Sequence, residues 1–221
     1  MLREDAGVPG FARPQARRTV GYYEACGKRL LDLCLVIATA PITVPLILIM
    51  ALAIARHGGN PFYWQRRIGR GGKTFRLLKL RTMVPNAEAT LESYLAAHPE
   101  ARREWDLTQK LKQDPRITLV GRCLRKTSMD ELPQIWNVLR GEMSMVGPRP
   151  MMEDQARLYP GNAYFQIRPG ITGLWQVMDR NNTAFRARAG YDTRYFNMIS
   201  LGTDLWILAR TVLVVLRGTG Y

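Results

Sequence analysis

The longest unbroken feature of this chain is apolar. From Leu30 to Ala55 the only charged residue is Asp32. At 1.5 Å per residue, a straight helix of that length would cross a bilayer core of ~30 Å. Two features oppose a plain crossing. Pro41 and Pro45 stand near the middle, and a proline removes a backbone donor and crowds the preceding turn. Arg17, Arg18, Lys28 and Arg29 precede the run, and Arg56, Arg66, Arg67, Arg70, Lys73 and Arg76 follow it. Lys/Arg excess marks the cytoplasmic side of a membrane, and here both flanks carry it. The pattern predicts a re-entrant helix that enters the membrane, bends at the prolines and returns to the same face. On the residues alone, a buried core helix and a straight span stay open as rivals. Asp32 lies within helical reach of Lys28 and Arg29, which suits an anchor at the helix end.

Beyond the apolar run the periods shorten. Gly58 to Pro61 reads as a turn. Phe62 to Arg67 and Thr74 to Leu80, with Gly69-Arg70-Gly71-Gly72 between them, predict a β-hairpin. Residues 86–113 are polar and helix-prone up to Asp114-Pro115. Ser128 followed by Glu131 matches a capping box. Leu132, Ile135, Trp136 and Leu139 follow at helical spacing, with Asn137 and Arg140 on the polar side and Gly141 as the stop. Asp130 and Glu131 therefore fall in the first turn of a predicted helix. Two rigid turns come next, Gly147-Pro148-Arg149-Pro150 and Arg168-Pro169-Gly170-Ile171-Thr172-Gly173. Asp204 to Arg217 is an apolar helix whose Arg210 and Arg217 share a face. That suits a helix in the membrane interface, and a core helix fits almost as well. The fold class read from these elements is mainly α with a small β-hairpin, α+β, on a monotopic membrane anchor.

Composition adds a charge to be explained. The 221 residues include 32 Lys+Arg against 18 Asp+Glu, a formal net charge of +14. With 47% hydrophobic residues the chain is not a disordered basic tail. Cys26, Cys34 and Cys123 form neither a disulfide framework nor a metal-type spacing. The excess charge leaves nucleic acid, an anionic membrane or a phosphorylated substrate as partners. Nucleic acid is disfavoured, since no aromatic strand platform or major-groove helix is visible.

Asp130 and Glu131 have a plain structural explanation, because acidic residues stabilise a helix N-terminus by roughly 0.3–1 kcal/mol. Their surroundings suggest more. Arg116, Arg122, Arg125 and Lys126 lie upstream, and Arg149 and Arg168 sit in the rigid turns. Arginines at a helix N-terminus make an anion site. Two carboxylates there would repel phosphate unless a divalent cation joined them, and Mg²⁺ suits that role. An ionised aspartate beside arginines can attack phosphorus. Phosphoryl transfer through Asp130 is the chemistry these residues suggest.

At this point the chain resembles a known family. The motifs are Lys28-Arg29-x-x-Asp32, Gln65-Arg66-Arg67-Ile68-Gly69, Phe75-Arg76-x-x-Lys79-x-Arg81-Thr82-Met83, Asp114-Pro115-Arg116-Ile117-Thr118, Leu124 to Gln134, Gly141 to Pro150 and Arg168 to Gly173. Their order is similar to that of the bacterial sugar transferases, the monotopic polyprenyl-phosphate glycosyl-1-phosphate transferases, in their small exopolysaccharide-production form. The resemblance covers about residues 26–221. It implies transfer of a sugar-1-phosphate from a UDP-sugar, galactose or glucose, to undecaprenyl phosphate with release of UMP. It also implies a place at the cytoplasmic face of the bacterial inner membrane.

The resemblance also implies roles for particular residues. Asp130 would form a phosphosugar intermediate. Glu131 would help bind Mg²⁺ and assist the acceptor. Arg125, Arg149 and Arg168, with Lys79 and Arg81, would contact phosphates. Pro41 and Pro45 would set the membrane kink. Ala40 departs from the family, many members of which carry Ser before that first proline, and this puts the hold on the kink in doubt. The expected layout is a flexible tail over 1–25, a re-entrant helix over 26–57 and a catalytic domain over 58–221, a minimal catalytic unit. A homodimer is one option for assembly. The rival reading is a non-catalytic basic scaffold on the membrane surface within a polysaccharide machine.

Overall fold

A computed structural model describes residues 21–56, 60–108, 111, 113–179 and 185–216. The N-terminal tail as far as residue 20, the start of the turn at Gly58, Arg217 and the Gly220-Tyr221 ending lie outside them. A π-helical turn, Tyr23–Gly27, leads into α1, Lys28–Ala55. Together they form a 33-residue helix, long and apolar enough to cross a membrane by length and composition.

The expected interruption at the prolines is not a gap. The backbone stays helical through Pro41 and Pro45. Each proline deletes one bond, and their four-residue spacing puts both deletions on one face, so the remaining ladder carries the helix. Thr39 donates back to Leu35 O at 2.8 Å and Thr43 to Thr39 O at 3.1 Å. Such i−4 back-bonding bends helices, so bending devices cluster between residues 39 and 45. The serine missing before Pro41 has its hydroxyl counterpart one residue earlier, at Thr39.

Both ends of α1 rest on the same body. Near its start, Lys28 and Asp32 are buried, and Val36 packs with Phe75, Leu77, Val138 and Met143. Near its end, Met50, Ala51 and Ile54 pack with Leu80 and Leu124. Between them Ile37, Ile42, Leu48 and Ile49 face outward, each more than 60% exposed.

The expected hairpin forms from β1, Phe62–Ile68, and β2, Thr74–Leu80, antiparallel with Phe62 opposite Leu80. Gly71 and Gly72 turn the chain at positive φ, which glycine adopts without steric cost. The polar helical stretch is two helices, α2, Ala87–Ala97, and α3, Pro99–Thr108. They divide at His98, because a residue before proline is driven out of the helical region. Next come α4, Leu119–Thr127, a 3₁₀ turn over Met129–Gln134, and α5, Ile135–Leu139.

A second sheet, not foreseen from the sequence, pairs β3, Ser144–Val146, with β4, Gly170–Thr172, in parallel; the four-residue α6, Ala163–Gln166, lies between them in sequence. α7, Leu174–Met178, α8, Arg188–Asn197, and α9, Leu201–Leu216, complete the fold. Asp204 and Ile207 of α9 are buried, whereas Leu205, Trp206, Val212, Leu213 and Leu216 are exposed. Arg210 stacks on Trp206 with its guanidinium 5.6 Å from the ring centre.

Candidate active site

The segment carrying Asp130 and Glu131 folds differently from its sequence pattern. Ser128 is not a cap. It sits in the left-handed region at φ 59° as the end of α4, and its side chain makes no capping bond. The Glu131 amide donates to Ser128 O at 3.2 Å, while the Glu131 carboxylate turns away to two cations. A tight 3₁₀ turn replaces the expected first α-turn. Pro133 has no amide to donate, and the stronger attraction of Glu131 lies across the fold rather than along the chain.

Lys79 Nζ lies 2.8 Å from Glu131 Oε1, and Arg149 Nη2 lies 3.0 Å from the same oxygen. Lys79 comes from β2, and Arg149 from the turn after β3. Burial alone would push the Glu131 carboxyl up. Arg149 and Lys79 outweigh it and hold the group well below the usual carboxylate range. Asp130, only 8% exposed, moves the other way. Burial raises its pKa, the Glu131 charge adds to this, and Lys79, Arg125 and Arg149 only partly oppose it. No described residue donates a hydrogen bond to the Asp130 carboxylate, and Glu131 Oε2 accepts none either. Among the described residues the two neighbours thus differ: Glu131 is held by two ion pairs and Asp130 by none.

Two devices fix this geometry. Asn137, expected on a polar face, is wholly buried. Its Nδ2 donates to Arg76 O and Glu142 Oε2, both at 2.7 Å, and its Oδ1 accepts the Leu78 amide at 3.0 Å. It locks α5 to β2, so the dyad and Lys79 are held as one unit. Trp136 and Leu139, expected toward the core, are instead 47% and 40% exposed. The other device is a backbone crossing. A Cβ on Gly147 would lie 2.4 Å from Arg168 O, and one on Gly173 would lie 2.0 Å from Gly147 O. Only glycine lets the two rigid turns pass this closely. The Gly147 amide donates to Thr172 O and the Gly170 amide to Pro148 O, each at 2.8 Å. Arg149 leaves this crossing toward Glu131.

The remaining expected residues separate. Arg125, at the end of α4, donates to Thr82 Oγ1 at 2.9 Å, and burial lowers its pKa while Asp130 raises it. It borders the site. Arg81 follows β2, holds Pro61 O through its amide at 2.8 Å, and forms no ion pair with either carboxylate. Arg168 faces away. Its guanidinium is pushed down by burial, and the charges acting on it are Asp32, Arg29 and Arg70. Arg116 forms a two-pronged pair with Asp114, at 2.6 and 2.8 Å, and is spent on structure.

Sequence reading gave Arg67 no site role beyond the flanking charge and its motif, yet it lines one cleft with Lys79, Glu131, Gln134 and Arg149. Burial and Arg149 push its guanidinium down to about 10. Its place in the basic strand pair was legible; its direction was not. The cleft therefore presents several cations around two carboxylates, a site for a polyanion. Among the described residues no cluster of three or more acidic, His or Cys side chains could hold a metal. Mg²⁺ takes one or two carboxylates and completes its shell with water and substrate phosphates. The free oxygens of Asp130 and Glu131 are hard donors of that kind.

An acidic pair ringed by basic side chains thus lies beside the long apolar helix α1. The chain belongs to the bacterial sugar transferase family, whose model matches residues 23–218. It is 43% identical over 218 residues to the exopolysaccharide production protein ExoY of Sinorhizobium fredii, covering 97% of this chain and 96% of that protein. It is 46% identical over 195 residues to a UDP-galactose-lipid carrier transferase of Erwinia amylovora, covering 87% of this chain. Against that longer protein the chain spans only 41% of the length. A UDP-glucose:undecaprenyl-phosphate glucose-1-phosphate transferase of Caulobacter vibrioides is 40% identical over 196 residues, covering 84% of this chain and 68% of the relative.

Proposed function

We propose that this protein transfers a sugar-1-phosphate from a UDP-sugar, with galactose or glucose as the sugar, to undecaprenyl phosphate. The observation that carries the reading is the division of labour in the dyad. Asp130 is buried and, among the described residues, has no hydrogen-bond donor on its carboxylate, while Glu131 is fixed by Lys79 and Arg149. An Asp130 oxygen attacks the β-phosphorus, the bond to the α-phosphate oxygen breaks, and UMP leaves with the electron pair. An oxygen of the lipid phosphate then attacks the same phosphorus and restores the Asp130 carboxylate. Arg149, Lys79, Arg67 and Arg125 balance the phosphate charge. Asp130 and Glu131 would hold Mg²⁺, whose chemistry is to neutralise the charge that builds on the phosphoryl oxygens.

Purified protein with Mg²⁺, undecaprenyl phosphate and a panel of UDP-sugars releases UMP with one preferred donor. Absence of UMP from every donor favours the scaffold reading.

The setting we propose is the cytoplasmic face of the bacterial inner membrane, as the first membrane step of exopolysaccharide repeat-unit synthesis. A straight 28-residue helix measures about 42 Å. A straight span would leave one end of α1 on the far side, whereas both ends pack against the catalytic body. The apolar face of α9 would rest in the interface, with Trp206 and Arg210 at headgroup level. Cysteine labels placed before Lys28 and after Arg56 both react from the cytoplasmic side only; reaction from opposite sides would refute the re-entrant topology.

A further inference from the structure

A second pocket adjoins the dyad cleft and shares Arg149 with it. Arg149, Tyr159, Trp175, Phe185, Arg188 and Asp192 line it. Its chemistry differs from that of the cleft. Asp192, 7% exposed, accepts from the Tyr159 hydroxyl at 2.7 Å on Oδ2. Arg188, one helical turn earlier on α8, lies flat over Trp175 at 4.1 Å and near Phe185 at 5.0 Å. Its Nε is buried without a hydrogen-bond partner among the described residues. Buried donors are nearly always satisfied, so an unmet one beside a buried carboxylate points to a ligand that both donates and accepts.

We infer that this pocket holds the hexosyl ring of the donor, with Asp192 and Arg188 reading its hydroxyl groups and thereby setting the choice of sugar. This rests on the proposed transferase activity. A pyranose hydroxyl donates and accepts at once, which suits a carboxylate beside a guanidinium, and its C–H face suits an aromatic wall. Arg149 fits the connection. In the donor the β-phosphate is bonded directly to the sugar, so a cation bordering both clefts can hold the phosphate while the ring lies in the aromatic pocket. Tyr159 fixes Asp192, and Trp175 and Phe185 flatten Arg188, so both recognising groups are pre-oriented. Neither Asp192 nor Arg188 touches Asp130 or Glu131, which separates choice of sugar from phosphoryl chemistry.

The test compares kcat/KM for UDP-galactose and UDP-glucose, which differ at one hydroxyl, in the full chain with Mg²⁺ and undecaprenyl phosphate. The inhibition constant of UMP, which lacks the sugar, is measured alongside. Asp192→Asn and Arg188→Lys reduce the preference between the two donors by at least about tenfold, the scale on which sites built to bond a hydroxyl discriminate, and leave UMP inhibition unchanged. If Asp192→Asn does not fold, Arg188→Lys and Tyr159→Phe, which keep the shape of the pocket, carry the same comparison. An unchanged preference in folded variants overturns the inference. So does weakened UMP inhibition in step with KM, which would place the uracil in the pocket. If the unaltered protein turns over no UDP-sugar, the transferase reading itself fails; if it is active and its preference survives substitution, only the sugar pocket does.

Discussion

Asp130→Asn abolishes UMP release, by roughly 10⁴–10⁶-fold in kcat, the scale seen when a covalent nucleophile is removed. The amide keeps the volume of the carboxylate but has no negative oxygen with which to attack phosphorus. Loss of folding would mimic this result, and the structure separates the two. Burial raises the Asp130 pKa, so its ionised form costs stability above the ordinary carboxylate range. The Asn variant at neutral pH therefore melts at the same temperature as the parent or slightly higher. Glu131→Gln has the opposite signature. The Glu131 pKa is depressed in the folded state. Its contribution is fully present above the ordinary glutamate pKa and fades as pH falls toward the depressed value. At neutral pH the Gln variant loses that contribution, leaves Lys79 and Arg149 partly unpaired, and melts lower. An inactive, stable Asp130→Asn beside an inactive, destabilised Glu131→Gln identifies the attacking group and its neighbour. Full activity in Asp130→Asn would end the covalent mechanism.

The largest effect on stability is expected at the foot of α1. Lys28 Nζ lies 2.5 Å from Asp204 Oδ2 and 2.8 Å from the Tyr195 hydroxyl. Tyr23 and Tyr195 donate to Asp204 at 2.7 and 2.6 Å. Lys28 and Asp204 are 5% and 1% exposed. Removing one partner of such a pair strands a buried charge and costs roughly 3–5 kcal/mol. Lys28→Ala is thus expected to lower the melting temperature in detergent by on the order of 6–20 °C. The double variant Lys28→Met with Asp204→Leu recovers most of that loss, since a buried pair replaced by apolar groups of similar volume is often neutral. A drop of only a degree or two in Lys28→Ala would show that α1 and α9 are held together by their apolar contacts instead.

Local patterns in the sequence predicted local structure well. The alternation of Phe62 to Arg67 and the glycines after Ile68 place the hairpin and its turn. The apolar run from Leu30 marks α1, and the pairing of Asp130 with Glu131 marks the candidate site. What escaped depends on partners far along the chain. Ser128 and Glu131 have the spacing of a capping box, but Lys79 and Arg149, 52 and 18 residues away, claim the carboxylate. Asn137 reads as a polar-face residue because its partners, Arg76 and Leu78, lie on a strand about 60 residues earlier. The parallel pair of β3 and β4 is three residues long on each side, too short for any period to show. Arg168 shares its rigid-turn setting with Arg149, yet Arg149 pairs with Glu131 while the charges around Arg168 are Asp32, Arg29 and Arg70.

The rooting of α1 at both ends has a consequence for the bilayer itself. A spanning helix must match the full hydrocarbon thickness, and mismatch sorts it among membranes by a fraction of a kcal/mol per Å. On the re-entrant reading, α1 is measured against the near leaflet alone. The depth of the Asp130 carboxylate relative to the headgroups is then set by protein–protein packing at Val36 and Ile54, not by the lipid on the far side. A polyprenyl phosphate moving in that leaflet would meet the carboxylate at a constant height, whatever the length of the acyl chains opposite.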